Sequence, residues 1–285
     1  MTLVAIFVVV APLLVLYTSG YRLTSELTII KTGGVYVEVP RAGADFYLEE
    51  EYQGSGSLFA RSFFGQNLLP GSYEVSIEEE GYHGWRKTME VFPTRITLGR
   101  VLMLPLEPSA IEVSPFLTAN GTPTTTPIGR NPRANPEYRS LRVLFGERLG
   151  TAAAAPGATT SINYKGSTTT VLSRGNIGLF KDVEGLHAWW LGEPDATPYF
   201  FCREETCAQE IFIAGDSDAI GHFDFFPDDN QFVIIEWPDG VFATELDTRQ
   251  PQNIQPIYPA RGVTFRVIDG VIYILDDDEL FELEL

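Results

Sequence analysis

The chain has 285 residues, length for about two ordinary domains, and its 44% apolar content with 12% aromatics can fill real cores, which excludes global disorder. The 20 Lys and Arg against 38 Asp and Glu give a net charge of −18, which opposes any broad attraction to phosphate backbones and makes nucleic acid an unexpected partner. The 26 Gly and 19 Pro break long helices and favour a mainly β chain, and 2 Cys with 3 separated His cannot build a four-ligand zinc centre, so no metal or cofactor is expected.

Leu3 to Tyr17 is an uncharged apolar run. As a helix it covers only about 22 Å of a roughly 30 Å hydrocarbon core. Counting residues 1–21 closes that gap, puts Tyr17 and Tyr21 at the interface, and leaves Arg22 as the first charge. Residues 1–21 therefore read as an uncleaved signal-anchor transmembrane helix. The rival is a signal peptide cut after Thr18-Ser19-Gly20, which has the small residues but lacks a basic leader. A buried core helix is disfavoured by the absence of a polar face. The expected location is a single-pass cell-membrane protein with its β-domains outside the cytoplasm, since a large following domain translocates despite Arg22 and Lys31.

From Gly34 the pattern becomes short alternating strands, Val35–Val39, Asp45–Leu48 and Ser72–Ile77, punctuated by Pro40, Gly43, Gly54, Pro70-Gly71 and Gly81. A small β-sandwich over residues 22–106 follows, with Tyr73, Val75 and Ile77 facing inward. The order Asn67-Leu68-Leu69-Pro70-Gly71, the alternating strand, and Gly81-Tyr82-His83-Gly84-Trp85 resembles the PEGA domain, a β-sandwich module of bacterial and archaeal surface and exported proteins. The resemblance covers about Gly34 to Pro105 and implies a fold rather than a catalytic set. The name-giving Pro-Glu-Gly-Ala element stands here as Pro40-Arg41-Ala42-Gly43-Ala44, and Glu49 to Gly54 replaces an Asp-Gly hairpin. Gly20-Tyr21-Arg22 after the anchor also resembles membrane-anchored bacterial proteins of this layout. Tyr82 and Trp85 are candidates for stacking on a sugar, although filling the open end of the sandwich competes for them. Glu49–Glu51 and Glu78–Glu80 read as solvated charges that protect sheet edges.

Residues 107–167 read as linker and irregular basic segment, rich in Thr, Pro and Gly around Thr118 and Thr124–Thr126, with Ala152–Ala155 further on. Asn120-Gly121-Thr122 fits a glycosylation acceptor, which carries little meaning in a bacterial chain. The β pattern resumes over 168–285 with Thr169–Leu172, Ile177–Phe180 and Leu186–Leu191. Two longer units, Gly221–Asp247 and Val263–Leu283, then repeat a strand-turn-strand pattern near the spacing of propeller blades. Too few blades fit a closed ring, so a partial β-propeller-like or irregular β domain is expected. Charge is uneven: residues 201–285 hold 4 basic and 19 acidic side chains, against 7 and 2 in residues 130–174, so the two stretches are candidates for mutual docking.

Cys202 and Cys207 flank four residues between two apolar runs and read as a hairpin with opposed thiols, within reach of a disulfide that would stabilise by about 2 kcal/mol. Such a bond fits an exported domain. No nucleophile elbow, zinc-protease helix or phosphate loop is present, and His83, His187 and His222 stand apart, so no catalytic residues are assigned. Asp216-Ser217-Asp218, Asp228-Asp229-Asn230 and Asp276-Asp277-Asp278 offer oxygen ligands without EF-hand spacing and read as acidic turns. Trp189, Trp190 and Trp237 complete the ligand-binding candidates, because neighbours in a strand point to opposite faces and one of the first two is left outside the core. The expected function is a non-catalytic, membrane-tethered surface protein that binds envelope polysaccharide or another surface protein. The alternative is a surface carbohydrate-active hydrolase with loop carboxylates in the distal domain.

Overall fold

The computed structural model describes residues 2–23, 28–56, 61–112, 158–203, 206–277 and 279–285. It is mainly β, and among the described residues no sheet closes into a barrel. Contacts divide the chain into two units, Met1–Leu106 with Arg249–Asn253, and Glu107–Thr248 with Ile254–Leu285.

The first unit opens with helix α1, Thr2–Thr18, whose 17 residues extend about 25 Å. The expected continuation of this helix to Tyr21 does not occur. Gly20 takes φ +82°, the left-handed stop that glycine supplies most easily, and its carbonyl accepts both the backbone N–H and the hydroxyl of Thr32. Arg22 donates to the Tyr17 carbonyl at 2.8 Å, satisfying an orphan acceptor at the helix end. Among the described residues no helix is long and apolar enough to cross a membrane. The chain turns instead into a hairpin of β1, Tyr21–Leu23, and β2, Ile29–Lys31.

Seven strands then build two sheets. They are β3 Gly33–Glu38, β4 Asp45–Leu48, β5 Glu51–Ser55, β6 Ser62–Leu68, β7 Gly71–Glu78, β8 Trp85–Val91 and β9 Ile96–Arg100. One sheet runs β6-β3-β9, the other β5-β4-β7-β8. Period-two alternation turns Val35, Val37, Phe46, Val75, Ile77, Trp85 and Met89 into one shared core. Val75 and Ile77 face inward as expected, whereas Tyr73 is half-buried at the margin, its hydroxyl donating to the Leu69 carbonyl at 2.9 Å. Glu49 and Glu50 form the β4–β5 turn at positive φ, and Glu49 also accepts the Glu74 backbone N–H, so this acidic stretch is built into the sheet. Thr88 donates to the Gln250 carbonyl, and Arg249 donates to the Leu98 carbonyl, so Arg249–Asn253 occupies the edges of β8 and β9.

The second unit holds β10 Ser109–Glu112, β11 Ala158–Tyr164, β12 Ser167–Arg174, β13 Ile177–Lys181, β14 Gly185–Trp190, β15 Cys202–Arg203, β16 Thr206–Cys207, β17 Glu210–Gly215, β18 Phe223–Phe225, β19 Phe232–Trp237, β20 Gly240–Glu245, β21 Ile254–Tyr258, β22 Thr264–Ile268, β23 Val271–Asp276 and β24 Glu279–Glu284. Its main sheets are β11-β12-β13-β14-β17, β18-β19-β20-β21 and β10-β24-β23-β22. The segment 107–167, expected to be irregular, thus contributes two strands, β10 and β11. Thr118, Asn120, Thr122, Thr124–Thr126 and Ala152–Ala155 lie outside the described residues, as does most of the basic stretch. Cys202 and Cys207 are directly paired across β15 and β16 and joined by a disulfide. The flanking Pro198–Phe201 run is a single 3-10 turn at Tyr199–Phe201 rather than a strand, because β17 pairs with β14 instead.

Candidate functional site

Trp189 and Trp190 separate the two faces of the five-stranded sheet. Trp190 enters the main core with Ile177, Leu179, Leu186, Ala188, Phe225 and Val233, and its indole N–H donates to the Glu193 carbonyl at 2.9 Å. Trp189 points the other way, onto a smaller cluster of Ile162, Tyr164, Val171 and Phe180. On that face the register sets Trp189 opposite Glu210, and a bulge between Leu186 and His187 sets His187 opposite Phe212. The Phe180 ring stacks on His187 at 5.1 Å, and His187 meets Phe212 edge-on at 5.3 Å.

The β11–β12 hairpin folds over this face. Seven residue pairs join β11 to β12, but only three join β12 to β13, so the hairpin tip departs from the sheet. Tyr164 lands edge-on against Phe180 at 4.6 Å and against Trp189 at 5.9 Å. Its hydroxyl donates to Glu210 Oε1 at 3.0 Å, and Lys165 Nζ donates to Glu184 at 3.2 Å and lies 3.7 Å from Asp182.

His187 is buried between two carboxylates. Its Nε2 lies 3.0 Å from Asp182 Oδ1; its Nδ1 lies 2.7 Å from Glu210 Oε1, off the line of a directed hydrogen bond. Burial opposes ionisation of Asp182, but the backbone N–H groups of Glu184 and Gly185, together with the His187 ring, outweigh it and hold the carboxyl below its ordinary range. Asp182 is thus an ionised turn former and a poor proton donor at neutral pH.

Ligand atoms of Asp182, Glu184 and His187 lie within 4.8 Å of one another. Asp182 Oδ1 already accepts from two backbone N–H groups, and the Lys165 ammonium occupies the carboxylates a cation would need. The donor set therefore fits a polar latch on the hairpin better than a metal centre. Beside it, Asp182, Val183, Glu184, Asp216, Ser217 and Asp218 line an open acidic hollow. Lys181 donates to the Ile220 carbonyl at 2.7 Å and steadies the second of these loops.

The acidic triplets behave as turns. Asp216, Asp228 and Asp277 take positive φ, Asp229 accepts the Gln231 backbone N–H, and Asp276 accepts the Tyr258 hydroxyl at 2.8 Å. Asp278 lies outside the described residues.

The remaining sequence candidates scatter. Trp85 is 1% exposed and fills the first unit's core, the role that competes with sugar stacking for it, and Trp190, at 7%, is the one of the adjacent pair that enters the second unit's core. Tyr82 is half-buried against that first core with the Arg41 guanidinium 4.4 Å over its ring. Trp237 is half-buried and meets Phe242 edge-on at 5.4 Å. Trp189, itself half-buried, packs on the buried Tyr164 and Phe180 and stands opposite the half-buried Glu210. Glu210 and Phe212 were missed in the sequence; the alternation in Glu210-Ile211-Phe212-Ile213 would have placed them together, but only the bulge sets them against Trp189 and His187. A scan of protein-family models finds no match to the chain, and a search of curated proteins finds no similar protein.

Proposed function

We propose that this protein is a non-catalytic binding protein, held at the cell membrane through α1, whose second unit binds envelope polysaccharide through the Trp189, Phe212 and Glu210 face. The observation that carries the reading is the cross-strand register of a half-buried Trp189 with Glu210, whose carboxylate also accepts from Tyr164, beside a Phe212 that is 49% exposed. An apolar ring beside a hydrogen-bond acceptor suits the two faces of a sugar, one of C–H groups and one of hydroxyls.

Membrane attachment draws on α1, where Phe7, Val8, Leu13, Leu14, Val15 and Tyr17 are all exposed around the helix. Its length falls short of an average hydrocarbon core by about 5 Å, a mismatch that bilayer thinning and interfacial tyrosines accommodate. An extracytoplasmic location accords with the Cys202–Cys207 disulfide. The PEGA-like reading of the first unit draws on its two-sheet core and on the Leu69-Pro70-Gly71 turn before β7. The partial propeller reading draws on the successive meanders β18–β21 and β22–β24, the second completed by β10 from earlier in the chain.

The second reading, a carbohydrate-active hydrolase, draws on the acidic hollow beside Asp182 and Asp216. A general acid there needs a carboxyl raised toward neutrality, and Asp182 is shifted the other way. A glycan array probed with the intact chain in detergent, beside Trp189→Ala, tests the proposal. Retention of an envelope glycan that Trp189→Ala loses at least tenfold supports it; turnover of a glycoside moves the decision to the hydrolase.

A further inference from the structure

The two outer faces of the first unit differ in chemistry. On the β5-β4-β7-β8 sheet, the outward positions include Asp45, Glu74, Glu78, Arg86, Thr88 and Glu90, with the Tyr47–Tyr52 ring pair at the β4–β5 end. On the β6-β3-β9 sheet, Val35 and Val37 point inward, and the outward row across β6, β3 and β9 is Phe64, Tyr36 and Leu98, with Ile96 beside Gly34 one step along. Phe64, Ile96 and Leu98 are 50%, 54% and 41% exposed. Gly34 contributes by its lack of a side chain, since a Cβ there would lie 3.1 Å from the Phe64 ring and 2.7 Å from the Gly65 carbonyl. A contiguous apolar surface on an otherwise acidic protein calls for an occupant.

We propose that this outer face of β6-β3-β9 is a second membrane contact, resting on an anionic lipid surface beside the point where α1 enters. The proposal rests on the reading of α1 as the membrane attachment. The face is continuous with the helix end through two hydrogen bonds: Thr32 N–H donates to the Gly20 carbonyl at 2.8 Å, and Thr94 N–H donates to the Thr32 carbonyl at 2.9 Å. Two residues beyond Thr94, Ile96 begins the apolar row. The side chains at this end are basic, Arg22, Lys31 and Arg95, in a chain whose overall charge is −18. Cations next to exposed Ile, Leu and Phe match anionic headgroups above acyl chains. The opposite outer face, rich in Glu and Asp, would be repelled by the same surface.

The test uses single cysteines introduced in the intact chain, Val8→Cys in α1, Ile96→Cys on the apolar face and Glu90→Cys on the acidic face, since the two native cysteines are joined to each other. Each is labelled with an environment-sensitive fluorophore and reconstituted in phosphatidylglycerol-containing vesicles that carry a nitroxide quencher on shallow acyl carbons. The proposal expects at least twofold quenching at positions 8 and 96 and none at 90, with the loss at 96 relieved in purely zwitterionic vesicles. Quenching at 8 without quenching at 96 overturns this proposal and leaves the α1 reading intact. No quenching at either position overturns both. Shielding of position 96 from a water-borne quencher without lipid quenching assigns the face to a second copy of the chain and also overturns the proposal.

Discussion

His222 and Asp224 stand two residues apart, on one side of the chain as it enters β18, and both feel the charge of Arg266, yet they hold protons in opposite senses. Burial, then Arg266, brings the His222 ring down to about 3. Burial pushes the Asp224 carboxyl up to about 6 against the Phe225 backbone N–H, Arg174 and Arg266. Glu236, which accepts the Thr264 hydroxyl at 2.5 Å, lies beside Gly221, the residue before His222.

The two shifts oppose each other in one pH window. Asp224 is protonated in the folded chain and ionised in the unfolded chain between about pH 4 and 6, so its stabilising share is present at low pH and is lost as pH rises, at about 1.4 kcal/mol per unit. His222 is neutral in the folded chain and protonated in the unfolded chain over the same window, so its share is lost as pH falls, at a similar slope. The account predicts that these two contributions nearly cancel from pH 4 to 6. Chemical denaturation of Asp224→Asn across that range should show stability rising more steeply with pH than in the parent chain; His222→Phe should show the converse. Equal slopes in all three proteins would contradict the assignment.

The core of the first unit predicts a graded response along β7. Ile77→Ala removes a fully buried side chain and should cost about 2–5 kcal/mol, whereas Glu74→Ala, on the outward side of β7 with a 3.6 Å contact to the exposed Arg86, should stay within about 0.5 kcal/mol. Tyr73→Ala should fall between them because its ring is only half-buried. Urea titration of each variant provides the ranking.

How much of this was legible before folding follows from local physics. The strands Val35–Val39, Asp45–Leu48, Ile177–Phe180 and Leu186–Leu191 were readable because alternation and flanking turn residues act within a few positions, and the Cys202–Cys207 pairing because both thiols lie in one short hairpin. The opposed faces of Trp189 and Trp190 were readable for the same reason. The latch formed by Tyr164, Asp182, His187 and Glu210 was not, since it joins residues from three separate stretches and depends on the β12 strand leaving the sheet after three pairs. β5, β6 and β21 were obscured by polar or interrupted sequences such as Glu51-Tyr52-Gln53-Gly54-Ser55, whose strand character comes from pairing partners rather than composition. The end of α1 at Thr18 is likewise set by Thr32, twelve residues beyond Gly20.

The latch predicts a local stability change. Tyr164→Phe keeps the ring contacts with Phe180 and Trp189 but removes the hydroxyl donated to Glu210, leaving that carboxylate short of one partner, at a cost of about 1–2 kcal/mol. Hydrogen exchange should accelerate in residues 158–171 and stay unchanged in β19 and β20. Uniform acceleration across the second unit would show that the hairpin is part of the global core.

The disulfide closes a short loop, so its effect should be confined. Replacing both Cys202 and Cys207 with Ser should lower stability by about 2 kcal/mol and leave the β14–β17 pairing in place. Thermal denaturation with and without reductant gives the magnitude.

Hydroxyl-radical footprinting of the intact chain, with and without purified envelope polysaccharide, tests the proposed binding face most directly. The account predicts that saturating polymer at least halves labelling at Trp189 and Phe212 while Trp237 and Tyr52 keep theirs. Unchanged labelling at Trp189 and Phe212 at saturation would contradict it.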